Sequence, residues 1–360
     1  MTISSARKKS APTLRSRFLG AWWGLFIGDA IGLPTDGYFN IELLKRDYGL
    51  IHSYRRLKEP HPNSDMTRVQ FRPTGELDNI VHHRQELWQT PGTHYHHGLE
   101  PGDITLPAVL AKLLAEVLWE SGGEYAHERY VECYLALMRD PQGHRDTYIA
   151  SAHRKFFRNL GQGVPLARCG ETDSHIAGLL EVAPLLLVYC GIIPQVGRVV
   201  RQQIGLLRPN GSLAYCADLL GELLFLLGEG FSLEDAIYQK LGHLRHPFLA
   251  YPYHRWIAHQ DDVTVATQHL GQGPLADDAI PLVFYLALKY ADDFEKALEM
   301  NAMLGGDACH RGALIGMLLG AQNGCEGIPD YLPKGLKNFA TLDRLGDQMW
   351  DMWHHNRETR

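Results

Sequence analysis

The chain predicts an all-α fold, a compact multi-helix bundle, on three observations. Segments of helical length with apolar residues at helical spacing recur from end to end. Alternating β-branched runs bounded by turns are scarce. Side-chain oxygens able to cap free N–H groups stand where several segments begin, at Thr172-Asp173, Ser232 and Asp277-Asp278.

In chain order the expected helices are Arg15–Ile31, Ile104–Ser121, Ala126–Arg139, Thr147–Leu160, Asp173–Tyr189, Gln195–Leu206, Ser212–Leu227, Leu233–Leu241, Asp277–Tyr290, Phe294–Met303 and Ala308–Gly320. Residues 1–14, basic and rich in Ser, Ala and Lys, read as a disordered tail, since no apolar signal-peptide core follows. Residues 15–360 carry no Gly/Ser/Pro-rich linker and no repeat, so one helical domain is expected. Its exception is the proline- and histidine-rich stretch 49–102, where periodic apolar positions are few; long irregular segments of this kind are usually functional loops or lids.

Hydrophobic residues at 45% and charged residues at 21% are ordinary for a globular protein. A net charge of −6 gives no basic face for a nucleic-acid backbone. Six scattered cysteines without CxxC spacing read as free thiols in a reducing cytoplasm.

Glycines recur every fourth residue at Gly20, Gly24, Gly28 and Gly32, and again at Gly312, Gly316, Gly320 and Gly324. Each helical glycine costs about 0.5–1 kcal/mol relative to alanine, so a stripe of them needs a compensating close approach of another backbone. The two ladders are therefore expected to pack tightly on neighbouring helices, and on each other. A membrane-spanning reading fails because Asp29 interrupts the first ladder and Asp307, His310 and Arg311 open the second. Asp29 and Asp36 accompany one ladder and Asp307, after Gly305-Gly306, the other; carboxylates there suit a metal, sugar hydroxyls or helix capping.

These motifs resemble those of the ADP-ribosylglycohydrolase family. The run from Gly20 through Gly28-Asp29-Ala30 to Pro34 and Asp36 looks like the family's first motif, and Gly305-Gly306-Asp307-Ala308-Cys309-His310 like its Gly-Gly-Asp-x-Asp-Thr signature. Gly102-Asp103-Ile104-Thr105 is the candidate for its Thr-Asp-Asp-Thr element. The resemblance implies an all-α domain whose three motifs converge on a cleft, holding two divalent ions that grip the ribose of ADP-ribose. Carried over, the metal positions become Gly102, Asp103 and Ile104, and Asp307, Cys309 and His310. Only two of four carboxylates remain, and magnesium needs several hard oxygens. The expectation is therefore one Mg2+ or Mn2+ at most, on Asp103 and Asp307 with Asp36 beside them; no ion at all is favoured.

The resemblance makes Asp36, Asp103 and Asp307 the catalytic candidates, with Asp36 where the family commonly has Glu. Proposed substrate contacts are His94, His96 and His97, which stand before the second motif, together with Gly305, Gly306, His310, Arg311 and His175. The His94–His97 loop is expected to close over the site. His94, His96 and His97 also match a zinc-ligand pattern, against which stands ordinary hydrogen bonding. Tyr148, His153, Phe156 and Phe157 share a helical face able to stack a ring, or belong to an amphipathic helix. His175 falls in the expected first turn of Asp173–Tyr189, and Cys309 reads as packing. The expected activity is hydrolysis of a ribosyl glycosidic bond at C1′ of an ADP-ribose-like or nucleoside-like substrate, without a nucleic-acid or membrane partner. Two alternatives stay open: a non-catalytic ligand binder, and a small-molecule C–N or C–O cleaving enzyme using His96 or His310 as electrophile.

Overall fold

A computed structural model describes residues 11–69, 71–191, 195–244 and 246–358. The tail assigned to residues 1–14 lies outside them up to residue 10. Helices of eight or more residues are α1 (Leu14–Gly32), α2 (Ile41–Tyr48), α3 (Leu106–Glu120), α4 (His127–Arg139), α5 (Ser151–Gly161), α6 (Gln195–Leu207), α7 (Gly211–Gly228), α8 (Ala276–Lys289), α9 (Phe294–Leu304), α10 (Ala308–Asn323) and α11 (Phe339–Glu358). Among the described residues there is no sheet, only one isolated bridge between His175 and Leu275.

The glycine ladders meet. Helices α1 and α10 run antiparallel with Gly20 against Gly320, Gly24 against Gly316, Gly28 against Gly312 and Gly32 against Ala308. A Cβ on any of these glycines would overlap the facing backbone, which is why alanine, the better helix former, is absent. Gly324 continues the stripe, where a Cβ would meet Ser16 Oγ of α1, and it ends α10 with a φ of +65°, a conformation that glycine adopts without strain.

Both central helices are buried over most of their length, sheathed by α7, α8 and α9 around α10 and by α11 against α1. The Trp22 indole donates to the Leu342 carbonyl at 2.8 Å, and Trp23 stacks on Phe339 at 5.5 Å. Arg17 donates to the carbonyls of Ala321 and Gln322, placing a cation at the C-terminal end of α10. Helix α7 is long and apolar enough to cross a membrane; it packs on α6, α10 and the Ala183–Val188 helix. One contiguous apolar core runs from Phe18 to Trp353, and the six cysteines are free thiols.

Several expected elements differ. Asp173–Tyr189 is not one helix but Ala177–Glu181 followed by Ala183–Val188, because Pro184 lacks an N–H and its ring clashes with a continuing helix. Thr147–Leu160 becomes helical only from Ser151. Leu233–Leu241 turns to a π-helix at Ala236–Lys240. Helices α2 and α11 and the short helix Tyr253–His259 are additional.

The stretch 49–102 is threaded through short turns and one helical turn at Gln85–Trp88, pinned by the buried Ile51, Met66, Phe71, Ile80, Val81 and Trp88. Those side chains anchor it to the core, and within the His94–His97 loop His94 and His96 are buried.

Candidate active site

Antiparallel pairing of α1 and α10 brings the C-terminal end of the first beside the N-terminal end of the second, and with them the acids that follow and precede. The Gly37 N–H donates to the Gly306 carbonyl at 2.8 Å, and the Gly306 N–H to the Tyr38 carbonyl at 2.7 Å. Gly305 and Gly306 have φ of +62° and +67°, and a Cβ there would strike the backbone of Tyr38 or Gln272. The Gly-Gly pair thus closes the joint between the two motifs.

Asp36 accepts the Cys309 N–H at 3.3 Å with one oxygen, occupying a free donor at the start of α10. Its other oxygen lies 3.3 Å from His96 Nε2. His96 Nδ1 lies 2.8 Å from Asp146 Oδ1, while Asp146 Oδ2 accepts the Leu106 N–H at 2.8 Å at the start of α3. Burial alone would lower the His96 pKa, but the flanking Asp146 and Asp36 carboxylates raise it well above the ordinary value. His96 is then a cation donating from both nitrogens. Burial opposes ionisation of Asp36 too, yet its hydrogen bond and charge interaction with His96, helped by His310, hold it well below the usual carboxylate range.

A second cluster lies on the same cavity wall. His310 Nδ1 is 2.5 Å from Asp307 Oδ1. Burial would lower the His310 pKa, but Asp307, Asp36 and Asp29 together raise it to about 9. The other ends of this pair, Asp307 Oδ2 and His310 Nε2, are buried without a hydrogen-bond partner. The His175 ring meets His310 edge-on at 5.1 Å, and burial lowers its pKa to about 4, leaving it neutral. His175 is not in a helical first turn as expected; its Nδ1 accepts the Ala177 N–H at 3.1 Å from the extended segment that bridges to Leu275.

Behind both clusters, Asp29 accepts Thr105 N–H at 2.8 Å and Oγ1–H at 2.6 Å, fastening α3 to α1. Its burial raises the pKa to about 6 against those bonds.

Asp36, Asp307, His96, His175, His310 and Gly306 line one cavity of about 160 Å3, joined by Tyr95, Asp146, Tyr148 and His153. Other expected contributors stand elsewhere. Asp103 is turned to the Glu100 N–H at 2.8 Å and to Arg145 at 2.9 Å, off the cavity wall. His94 accepts the His96 N–H at 3.1 Å beneath the wall, and His97 faces solvent against Glu59 at 2.9 Å. Neighbours in sequence with one ring inward, one below and one outward do not form the expected zinc trio. Arg311 is fully buried and donates to Asn301 Oδ1 and the Gly305 carbonyl, each at 2.6 Å, so it fixes the glycine turn and does not reach the cleft. Phe156 and Phe157 pack with Tyr134 in the core, whereas Tyr148 and His153, the other two rings expected on that face, line the cavity. Cys309 is buried, with Sγ 3.9 Å from His96 Nε2, and burial together with nearby carboxylates pushes its thiol pKa well up, unsuited to a nucleophile.

The donors do not fit a pair of hard divalent ions. Two trios have ligand atoms within 4.8 Å of one another, Asp36 with His96 and Cys309, and His175 with Asp307 and His310. Each trio offers a single carboxylate, and nitrogen and sulfur stand where such ions need oxygen. The expected single-ion pairing of Asp103 with Asp307 is not assembled either, because Arg145 and the Glu100 N–H hold Asp103.

Asp146 escaped sequence reasoning. It sits in His144-Arg145-Asp146-Thr147-Tyr148, a segment read for its bases and aromatic rings, and its partners His96 and Leu106 are distant in the chain.

The sequence profile of the ADP-ribosylglycohydrolase family matches residues 10–359. An uncharacterized protein of Archaeoglobus fulgidus is 23% identical over 353 residues, covering 94% of this chain and 97% of its own. A solved structure titled an ADP-ribosylglycohydrolase-related protein complex superposes with a TM-score of 0.60 at 20% identity, covering 94% of this chain and 99% of its own, a likeness of fold. With the profile spanning nearly the whole chain, the protein belongs to the ADP-ribosylglycohydrolase family.

Proposed function

We propose that the protein is a hydrolase that cleaves a ribosyl glycosidic bond at C1′, working through carboxylates and histidines without a divalent metal pair. The observation that carries this reading is the pair of unpartnered atoms on the cavity wall, an acceptor at Asp307 Oδ2 and a donor at His310 Nε2. Buried polar atoms are rarely left single, and a sugar hydroxyl, which donates and accepts at once, satisfies both.

In this reading the ribose 2′- or 3′-hydroxyl donates to Asp307 Oδ2 and accepts from His310 Nε2–H. As the C1′ bond to the leaving group stretches, its electron pair departs with that group and positive charge grows on the ribosyl ring. The fixed carboxylates of Asp36 and Asp307 stabilise that charge. Water then bonds to C1′. Asp36 is kept ionised by His96, so it accepts a hydrogen bond from this water, and the proton the water releases goes to a departing amine or, where a pyridinium group leaves as a neutral base, to solvent. Its low basicity suits a dissociative transition state, in which the water becomes acidic only as it bonds.

The test is incubation of the purified protein with ribosyl N-glycosides and with ADP-ribosylated arginine and serine peptides, following released base or amine. Turnover that persists without added metal and falls at least about 100-fold in Asp307→Asn supports the reading. Tight ligand binding without release from any substrate assigns the chain to the non-catalytic alternative.

A further inference from the structure

The cavity that this reading makes the catalytic one has a charge pattern ill-suited to a diphosphate. Among the described residues on its wall there is no arginine or lysine. The charged groups are the carboxylates of Asp36, Asp65, Asp146 and Asp307 with the two imidazoles of His96 and His310 among them, so negative charge is in excess. Arg145 pairs with Asp103, Arg208 with Glu181 and Arg311 with the glycine turn, while Arg154, off the wall, is engaged by the Ile149 carbonyl and by Tyr148. Two helix starts that reach this wall already give an N–H to an acid, α10 through Cys309 to Asp36 and α3 through Leu106 to Asp146. Those are the groups by which proteins ordinarily hold phosphate, namely fixed cations and free helix-start N–H groups.

Size and apolar surface agree. A cavity near 150 Å3 holds about one six-membered ring, and drug-sized ligands occupy 300 Å3 or more. This one, at about 160 Å3, has room for one sugar ring. Phe39, 52% exposed, lines it, as do Tyr95 and Tyr148, which pack edge-to-face on each other at 5.5 Å. An exposed aromatic ring at the edge of a sugar-sized hollow is a stacking surface for a planar base.

We propose that the cavity takes a phosphate-free ribosyl N-glycoside, a free nucleoside-like molecule, in preference to an ADP-ribosyl group. The ribose occupies the hollow against Asp307 and His310, and the base stacks at the rim on Phe39. Substrate choice rests on the absence of a cationic cradle: each phosphate added to the 5′ side brings negative charge towards carboxylates and finds no partner.

Three compounds that share one ribosyl–pyridinium bond separate the possibilities: nicotinamide riboside, its 5′-monophosphate and NAD+. With the full chain, kcat/KM is expected to be at least about tenfold higher for the riboside than for the monophosphate, and about 100-fold higher than for NAD+, each tenfold step corresponding to about 1.4 kcal/mol. Cleavage of NAD+ or ADP-ribosylated arginine as fast as the riboside overturns the proposal while leaving the glycosidase reading standing. Calorimetry with nicotinamide riboside and ADP-ribose covers the case of no turnover. Riboside binding at least tenfold tighter supports the phosphate-free preference although the glycosidase reading falls. ADP-ribose binding as tight or tighter, or no riboside binding at millimolar concentration, overturns it.

Discussion

Asp307 and His310 share a 2.5 Å hydrogen bond through Oδ1 and Nδ1, while the far atom of each group, Oδ2 and Nε2, remains buried and unpartnered. A helical i, i+3 spacing places them one above the other at the start of α10, and the pair presents an acceptor and a donor to the cavity. Replacing His310 with Gln keeps a donor but removes the cation. Activity is expected to fall at least about tenfold in kcat/KM, with a smaller loss than in Asp307→Asn, measured by base release.

The same pair makes stability depend on pH. The folded pKa of His310, about 9, lies above its ordinary value of 6.5, so the protonated form favours folding. This contribution is fully present below pH 6.5 and is lost as pH rises through about 9. Urea unfolding midpoints of the wild type should therefore decline between pH 6.5 and 9, and His310→Gln should show a shallower decline. Equal slopes in the two proteins contradict the assignment.

Close approach of α1 and α10 leaves no room for a methyl group. Gly28→Ala or Gly316→Ala is expected to destabilise the fold by about 3 kcal/mol or more, because a Cβ meets backbone that cannot move aside. Gly205→Ala in α6 meets nothing within 4 Å and should stabilise by roughly 0.5–1 kcal/mol through helix propensity. Chemical denaturation of the three variants checks the contrast.

Asp103 and Asp146 give opposite expectations. Asp103→Ala removes bonds to the exposed Arg145 and to the Glu100 N–H, both off the cavity wall, and should leave kcat/KM within about threefold. Asp146→Ala removes one of the two carboxylates holding the buried His96 and should cost about 3–5 kcal/mol of stability together with most of the activity. A catalytic loss in Asp103→Ala comparable to that in Asp146→Ala would restore Asp103 to the site.

Much of this arrangement is legible in the sequence because the glycine ladders encode it. Four-residue spacing marks one face of each helix, only facing backbone explains the missing side chains, and antiparallel pairing then carries Asp36 to Asp307. What stays hidden has different causes. Asp146 acts through bonds to residues far away in the chain, and nothing local distinguishes it from a solvated aspartate. His175 is misplaced because residues 174–176 pair through their backbone with 274–276, a partner distant in the chain, and the helix begins only at Ala177. Asp103 fits a motif by position, but its carboxyl direction is set by Arg145, outside that motif. Helix α11 buries Leu342, Leu345, Met349, Met352 and Trp353 at helical spacing, diluted by the charged residues between them.

The donor set predicts indifference to a pair of hard divalent ions. Activity with 5 mM-scale chelator, and with added Mg2+ or Mn2+, should agree within about twofold, since oxygen ligands for a hard ion pair are not assembled. Loss of activity on chelation, restored by Mg2+, would contradict that reading.

The most direct test of the central claim, that Asp307 and His310 hold a ribose hydroxyl during C1′ cleavage, is a cycle of kcat/KM values. It compares wild type and Asp307→Asn on nicotinamide riboside and on its 2′- and 3′-deoxy analogues. Wild type is expected to discriminate against at least one deoxy analogue by about 100-fold, and Asp307→Asn to lose most of this discrimination. Equal discrimination by both proteins, or no base release by wild type from any of the three compounds, would contradict it.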